Sequence, residues 1–96
     1  MKTAFKAGVR LLKALSNEKR LEIVYTLMGN ELNVTDLGKI VGLSQSSLSQ
    51  HLAILRTEKI VKTRRAAQTI FYSVQSDKAI KLITLIETMY NKPYKM

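Results

Sequence analysis

Between Val34 and Thr57, two short amphipathic stretches are separated only by Gly42-Leu43-Ser44. A break that short leaves no room for an excursion, so the chain must turn at once and lay the second stretch across the first. Gly42 supplies the backbone freedom for the bend. Ser44 is placed to cap the next segment by accepting a hydrogen bond from a free backbone N–H. In the first stretch Leu37, Ile40 and Val41 form an apolar face. Asn33 followed by Val34-Thr35-Asp36 is a capping-box-like start with an acid at the third position. In the second, predicted as a helix over Gln45–Thr57, Leu48, Leu52 and Leu55 make the buried stripe.

Two strand-like stretches follow immediately, Ile60–Arg65 and Thr69–Val74. Val61, Thr63, Ile70, Tyr72 and Val74 alternate with polar neighbours, and Phe71 breaks the alternation. The tip, Arg65-Ala66-Ala67-Gln68, carries no Asn-Gly or Asp-Gly signal. Helix, turn, helix and two-stranded ribbon, in that order, is the layout of a winged helix-turn-helix, mainly α with a small β-hairpin. Residues 34–57 form the helix-turn-helix and 60–74 the wing. A first helix is predicted over Thr3–Leu15, with Val9, Leu12 and Leu15 or Ser16 on the face of Phe5. A second, capped by Ser16 or Asn17, runs to Met28 with Leu21, Val24, Tyr25 and Met28 in register and Ile23 and Leu27 widening the stripe, and Gly29-Asn30 ends it. Ser76-Asp77 caps a last helix reaching Tyr90, and Pro93 stops any continuation into a frayed tail, 91–96. About five helices and a two-stranded wing thus make one domain, 1–96, with no repeat or linker.

Charge narrows the partners. The chain carries a net charge of +9, which favours association with polyanions. Between Val41 and Val74 the only acid is Glu58, against Arg56, Lys59, Lys62, Arg64 and Arg65. Such a local bias suits phosphate-backbone binding; its bland counterpart is a solvated basic edge strand. There is no cysteine, which removes disulfides, thiolate metal sites and thiol redox chemistry. No apolar run reaches the ~18 residues of a membrane span, and Lys6, Arg10 and Lys13 interrupt the N-terminal segment, which reads as an amphipathic helix rather than a signal peptide. One histidine, no cysteine and scattered acids supply no positioned base, nucleophile or metal, so no enzymatic activity and no cofactor are expected.

Double-stranded DNA is the partner this pattern implies. Helical geometry sets Ser46 and Gln50 opposite the Leu48, Leu52 and Leu55 stripe, with Ser47 and Ser49 beside them and Ser44 and Gln45 at the helix start. Glutamine can contact adenine through its amide, and serine can reach bases or phosphates. Ser- and Gln-rich positions are also common on plain solvated faces. His51 lies between the core stripe and the outer face, where it either donates to a phosphate or packs at the helix boundary. Arg56 and Lys62 suit phosphates, Arg64 and Arg65 near the tip suit the adjacent minor groove, and Gln68 and Thr69 complete the candidate set.

The last helix is too apolar to face solvent on all sides. Leu82, Ile83, Ile86, Met89 and Tyr90, with Ala79, form one continuous face. With Leu12 of the first helix they make a candidate homodimer surface over 1–15 and 76–90. Plain burial in a monomer core is the alternative. A two-fold dimer predicts an inverted-repeat operator.

Three motifs carry a resemblance across Leu11 to Tyr90: Ala14-Leu15-Ser16-Asn17-Glu18-Lys19-Arg20-Leu21-Glu22-Ile23, Leu43-Ser44-Gln45-Ser46-Ser47-Leu48-Ser49-Gln50-His51-Leu52 and Gln68-Thr69-Ile70-Phe71-Tyr72. On them the chain resembles the ArsR/SmtB family of bacterial transcriptional repressors, and within it the branch of the HlyU virulence regulators and the BigR/SqrR sulfide-responsive repressors. The resemblance implies a cytoplasmic homodimeric winged helix, nucleoid-associated when bound, that blocks promoters and releases them when an inducer binds. An HlyU-like activator acting as antirepressor and a nonspecific DNA-coating protein are the alternatives. The family's metal-sensing cysteines have no counterpart in Glu31–Leu37, and Asp77 and Glu87 without a histidine make no zinc site. The thiol-sensing pair of that branch aligns with Tyr25 and Asn91. Tyr25 is then either a buried core aromatic, the favoured reading, or part of a small-molecule pocket beside the last helix.

Overall fold

The computed structural model describes residues 1–90. Helices α1 (Lys2–Leu15) and α2 (Glu18–Leu27) lead to the strand β1 (Leu32–Asn33), then come α3 (Val34–Val41), α4 (Gln45–Thr57), the hairpin β2 (Val61–Ala66) and β3 (Thr69–Val74), and α5 (Asp77–Tyr90). Every helix after α1 starts on a short polar side chain, whereas α1 has no side-chain cap. Asn17 accepts from the Arg20 amide at 3.0 Å, Asn33 from Asp36 at 2.8 Å, Ser44 from Ser47 at 3.2 Å and Ser76 from Ala79 at 3.1 Å. Such caps stabilise a helix by about 1 kcal/mol each.

The sheet has three strands in the order β1-β3-β2, all antiparallel. The expected two-stranded wing therefore gains a third strand at its base, where Leu32 pairs with Tyr72 and Asn33 with Phe71. Two residues are too few to give an alternating pattern, and the second of them, Asn33, is itself the cap of α3, which hides the strand in the sequence. The hairpin register sets Arg64 opposite Phe71 and Ala66 opposite Thr69, leaving Ala67-Gln68 as the turn. Ala67 takes a left-handed φ of 56°, so the tip is shorter than the predicted four residues.

One core holds the elements together: Leu15, Ile23, Val24, Leu27, Leu37, Val41, Leu48, Leu52, Leu55, Ile60, Val61, Ala79 and Ile83 are all buried. Full burial of each large side chain contributes about 1.5–3 kcal/mol. The turn between α3 and α4 is built on two glycines. Gly42 sits at φ 70°, where a Cβ is disfavoured. At Gly38 a Cβ would lie 3.2 Å from the Leu43 carbonyl oxygen and 3.5 Å from Leu48 Cδ2, so α3 rolls onto α4 at this point. That roll centres the buried side of α3 on Leu37, Gly38 and Val41 and leaves Ile40 58% exposed, against the expected three-residue apolar face.

Two further expectations change. Tyr25 is 50% exposed rather than a core aromatic; its hydroxyl donates to Glu87 Oε2 at 3.0 Å, tying α2 to α5. The buried side of α2 is made by Val24 of the expected stripe and by Ile23 and Leu27, which widen it. Ile83 is only 5% exposed within the single chain, so it belongs to the protomer's own core and not to a surface awaiting a partner. Asn91 lies outside the described residues. No helix among the described residues is long and apolar enough to cross a membrane.

Candidate nucleic-acid interface

The first turns of α4 present Ser44, Gln45, Ser46, Ser47, Ser49 and Gln50, all exposed, while Leu48, Leu52 and Leu55 are buried beneath them. The Ser44 cap fixes the helix start, and its hydroxyl lies 3.4 Å from that of Ser46. Rigidity behind this surface comes from side chains that hold α4 and α3 against the rest. Lys19 Nζ donates to the Val41 carbonyl at 2.7 Å, satisfying a carbonyl at the end of α3. Arg20 Nε donates to the Ala14 carbonyl at 2.6 Å, and its Nη1 lies 3.3 Å from His51 Nδ1. One guanidinium thus joins the end of α1, the start of α2 and the middle of α4. Sequence reasoning gave Lys19 and Arg20 no individual role; their signal was their place in the first turn of the helix that Asn17 caps.

His51 resolves toward packing at the helix boundary. It is half-buried against Arg20, and burial first, then the Arg20 charge, holds its pKa below the ordinary 6.5. A neutral imidazole whose Nδ1 accepts from Arg20 is poorly suited to donate to phosphate from that side.

On the wing, Lys62, Arg65, Gln68 and Thr69 are exposed. Arg64 is exposed but engaged: its Nε and Nη2 donate to the two carboxylate oxygens of Glu31 at 2.9 and 2.8 Å, and its guanidinium lies 4.9 Å from the centre of the Phe71 ring. The guanidinium holds the Glu31 carboxyl below its usual range. Phe71, which broke the sequence alternation, lies in one cross-strand row with Arg64 and Asn33. Arg65 donates through Nε to the Ala67 carbonyl at 3.1 Å, which bends it toward the tip. Glu58, the lone acid of the region, is drawn away by Arg10 of α1 at 3.1 Å.

Away from this face, α1 and α5 each carry a second apolar stripe besides the one in the core. Phe5, Val9 and Leu12 of α1 are exposed, with Leu12 at 55%, while Ala14 and Leu15 are buried. The single expected α1 face therefore splits in two. On α5, Ala79 and Ile83 face inward, Leu82 and Ile86 are half-buried, and Leu85, Met89 and Tyr90 are exposed.

A profile of the arsR-family bacterial regulatory proteins matches residues 17–63, from the α2 cap into the wing. Across 83 residues the chain is 48% identical to the transcriptional activator HlyU of Vibrio cholerae, covering 86% of this chain and 77% of that protein. The chain belongs to the ArsR family of bacterial regulatory proteins. Its structure superposes on reduced HlyU from Vibrio cholerae with a TM-score of 0.89 and 44% identity, covering 96% of this chain and 97% of the other. The transcriptional repressor BigR from Xylella fastidiosa gives a TM-score of 0.88 at 38% identity, covering 94% and 92%. The homodimeric winged helix-turn-helix DNA-binding domain of Mb0332 from Mycobacterium bovis gives 0.81 at 22% identity, covering 98% and 87%, a likeness of fold alone. The ArsR-family protein described here is accordingly a winged helix and a DNA-binding transcriptional regulator.

Proposed function

We propose that this ArsR-family regulator works as a homodimer that reads an inverted-repeat operator and represses by occupying a promoter. The observation that carries this reading is the outer face of α4, where Ser46 and Gln50 stand exposed over a buried leucine stripe, with a basic wing alongside. An α-helix fits the major groove of B-DNA, and glutamine suits adenine there. The exposed stripes of α1 and α5 supply the second half: two-fold pairing through them sets two α4 helices on successive major-groove segments.

A second reading, activation by displacing another DNA-coating protein, is favoured by the 48% identity to a transcriptional activator. Both readings require specific DNA binding, and the position of the operator separates them: overlap with the polymerase site goes with repression. Selection of bound sequences from a random duplex library, followed by a salt titration on the enriched duplex, tests the shared part. An inverted repeat that survives random competitor supports the dimeric reader. No enriched motif, with affinity for every sequence collapsing alike as salt rises, leaves only a nonspecific coating protein.

A further inference from the structure

Between α4 and the wing lies a cleft of about 370 Å³ lined by Ser49, Leu52, Ala53, Arg56, Thr57 and Tyr72. Its floor is Leu52, and four of its lining residues carry hydrogen-bonding ends. Tyr72 is held in place by the sheet, paired with Thr63 on one side and Leu32 on the other.

Arg56 stands out among the arginines. Arg10 is paired with Glu58, Arg20 with Ala14 and His51, Arg64 with Glu31, and Arg65 with the Ala67 carbonyl. Arg56 alone of the five makes no side-chain hydrogen bond or ion pair among the described residues. The hydroxyls of Ser49, Thr57 and Tyr72 likewise make none as donors among these residues, and no buried side-chain polar atom lacks a partner. These ends are therefore open to solvent and unspent. No acid lines the cleft.

We infer that this cleft seats a DNA phosphodiester, with Arg56 supplying charge and Tyr72 and Ser49 supplying neutral donors. The inference rests on the proposed docking of α4 in the major groove. If α4 occupies that groove and the hairpin tip reaches the adjacent minor groove, the sugar-phosphate strand between the two grooves must cross between α4 and the hairpin. The cleft is the gap at that crossing. A guanidinium and hydroxyl donors are the chemistry that holds a phosphate oxygen. Tyr72 and Thr57 were not in the sequence-based DNA-contacting set; Tyr72 was read only as part of the alternation of its strand. Its ring is half-buried, and the cleft is where its hydroxyl can emerge.

The test uses the full chain with Arg56→Gln and Tyr72→Phe, on the duplex enriched by selection and on a random-sequence duplex of equal length. Thermal melting checks that both variants remain folded; Tyr72→Phe keeps the ring. Arg56→Gln is expected to weaken both duplexes by about tenfold and to lower the slope of log K against log salt by about 0.9, as for one lost phosphate contact. Tyr72→Phe is expected to weaken both by about threefold to tenfold with the slope unchanged, as for one neutral hydrogen bond. Methylphosphonate replacement of single phosphates in the enriched duplex then localises the contact: at one phosphate per half-site the two variants should lose nothing further. Folded variants with unaltered affinity, or losses that add to the methylphosphonate loss at every position, overturn the cleft. Failure of selection to enrich any motif counts against the operator reading, while the random duplex still reports on Arg56 and Tyr72.

Discussion

Glu31 grips Arg64 across the face of Phe71, so a cation that the sequence offered to DNA is already neutralised by the protein. The contact links the residue before β1 to the middle of β2 and spans the whole sheet at the base of the wing. Its consequence is a division of labour between adjacent arginines. Arg65→Ala is expected to weaken binding to all sequences and to lower the salt slope by about 0.9. Arg64→Ala should leave that slope nearly unchanged. Glu31→Gln removes a negative charge beside the wing and should raise it. Titrating a single duplex with salt for the three variants decides the matter; equal slopes for Arg64→Ala and Arg65→Ala would put both side chains on phosphate.

Gln50 is the residue best placed to read a base, being exposed on α4 directly opposite the Leu48–Leu55 stripe. Gln50→Ala is expected to cost about 1–3 kcal/mol on the enriched sequence. The loss should be absent on scrambled DNA. Competition binding with the two duplexes measures the difference, and unchanged discrimination would show that Gln50 only faces solvent.

How much of this was written in the sequence depends on the range of the interaction. The caps at Asn33 and Ser44, the bend at Gly42 and the Leu48, Leu52 and Leu55 stripe are local devices, and all were legible from spacing alone. Ile40 and Tyr25 were misplaced because periodicity gives a face but not the roll of a helix about its axis. That roll is set by contacts distant in sequence, such as Gly38 against Leu43 and Leu48, or Tyr25 on Glu87 62 positions away. The pairing of Arg64 with Glu31 spans 33 positions, and nothing near either residue announces it.

The two faces of α5 predict opposite outcomes for neighbouring residues. Ile83 is buried in the protomer, so Ile83→Ala is expected to destabilise the fold itself by about 2–5 kcal/mol. Leu85 is 53% exposed. Leu85→Lys is expected to keep helical content but shift sedimentation from dimer to monomer and weaken operator binding with it. A Leu85→Lys protein that still sediments as a dimer would move the pairing surface elsewhere.

Helix α4 ends without the glycine that its geometry favours. The Ile60 amide donates to the Leu55 carbonyl at 2.8 Å and the Lys59 amide to that of Arg56 at 3.0 Å, while Lys59 sits at φ 59°. This is a Schellman arrangement with a lysine at the left-handed position. Relief of the Cβ strain outweighs the extra freedom glycine gives the unfolded chain, so Lys59→Gly is expected to stabilise by about 0.5–1 kcal/mol. Denaturant unfolding should show a higher midpoint with an unchanged slope. A lower midpoint would mean that the Lys59 side chain contributes more than its backbone strain costs.

His51 makes stability depend on pH in a stated direction. Burial and the neighbouring Arg20 charge depress its pKa in the folded protein below the 6.5 of the free side chain. Above pH 6.5 both folded and unfolded chains hold the ring neutral, and the Arg20 contact contributes in full. As pH falls through 6.5 the unfolded chain takes up the proton first, so stability declines. The decline from this group continues until the lower folded pKa is passed and the native ring protonates as well, turning an acceptor for Arg20 into a like charge. His51→Gln retains an amide oxygen that can accept from Arg20 and removes the titration. Melting temperatures measured from pH 7.5 down to 5.5 should therefore fall more steeply for the native sequence than for His51→Gln. Parallel curves would mean that the ring keeps enough solvent to titrate equally in both states, and that the Arg20–His51 contact does not couple the reading helix to pH.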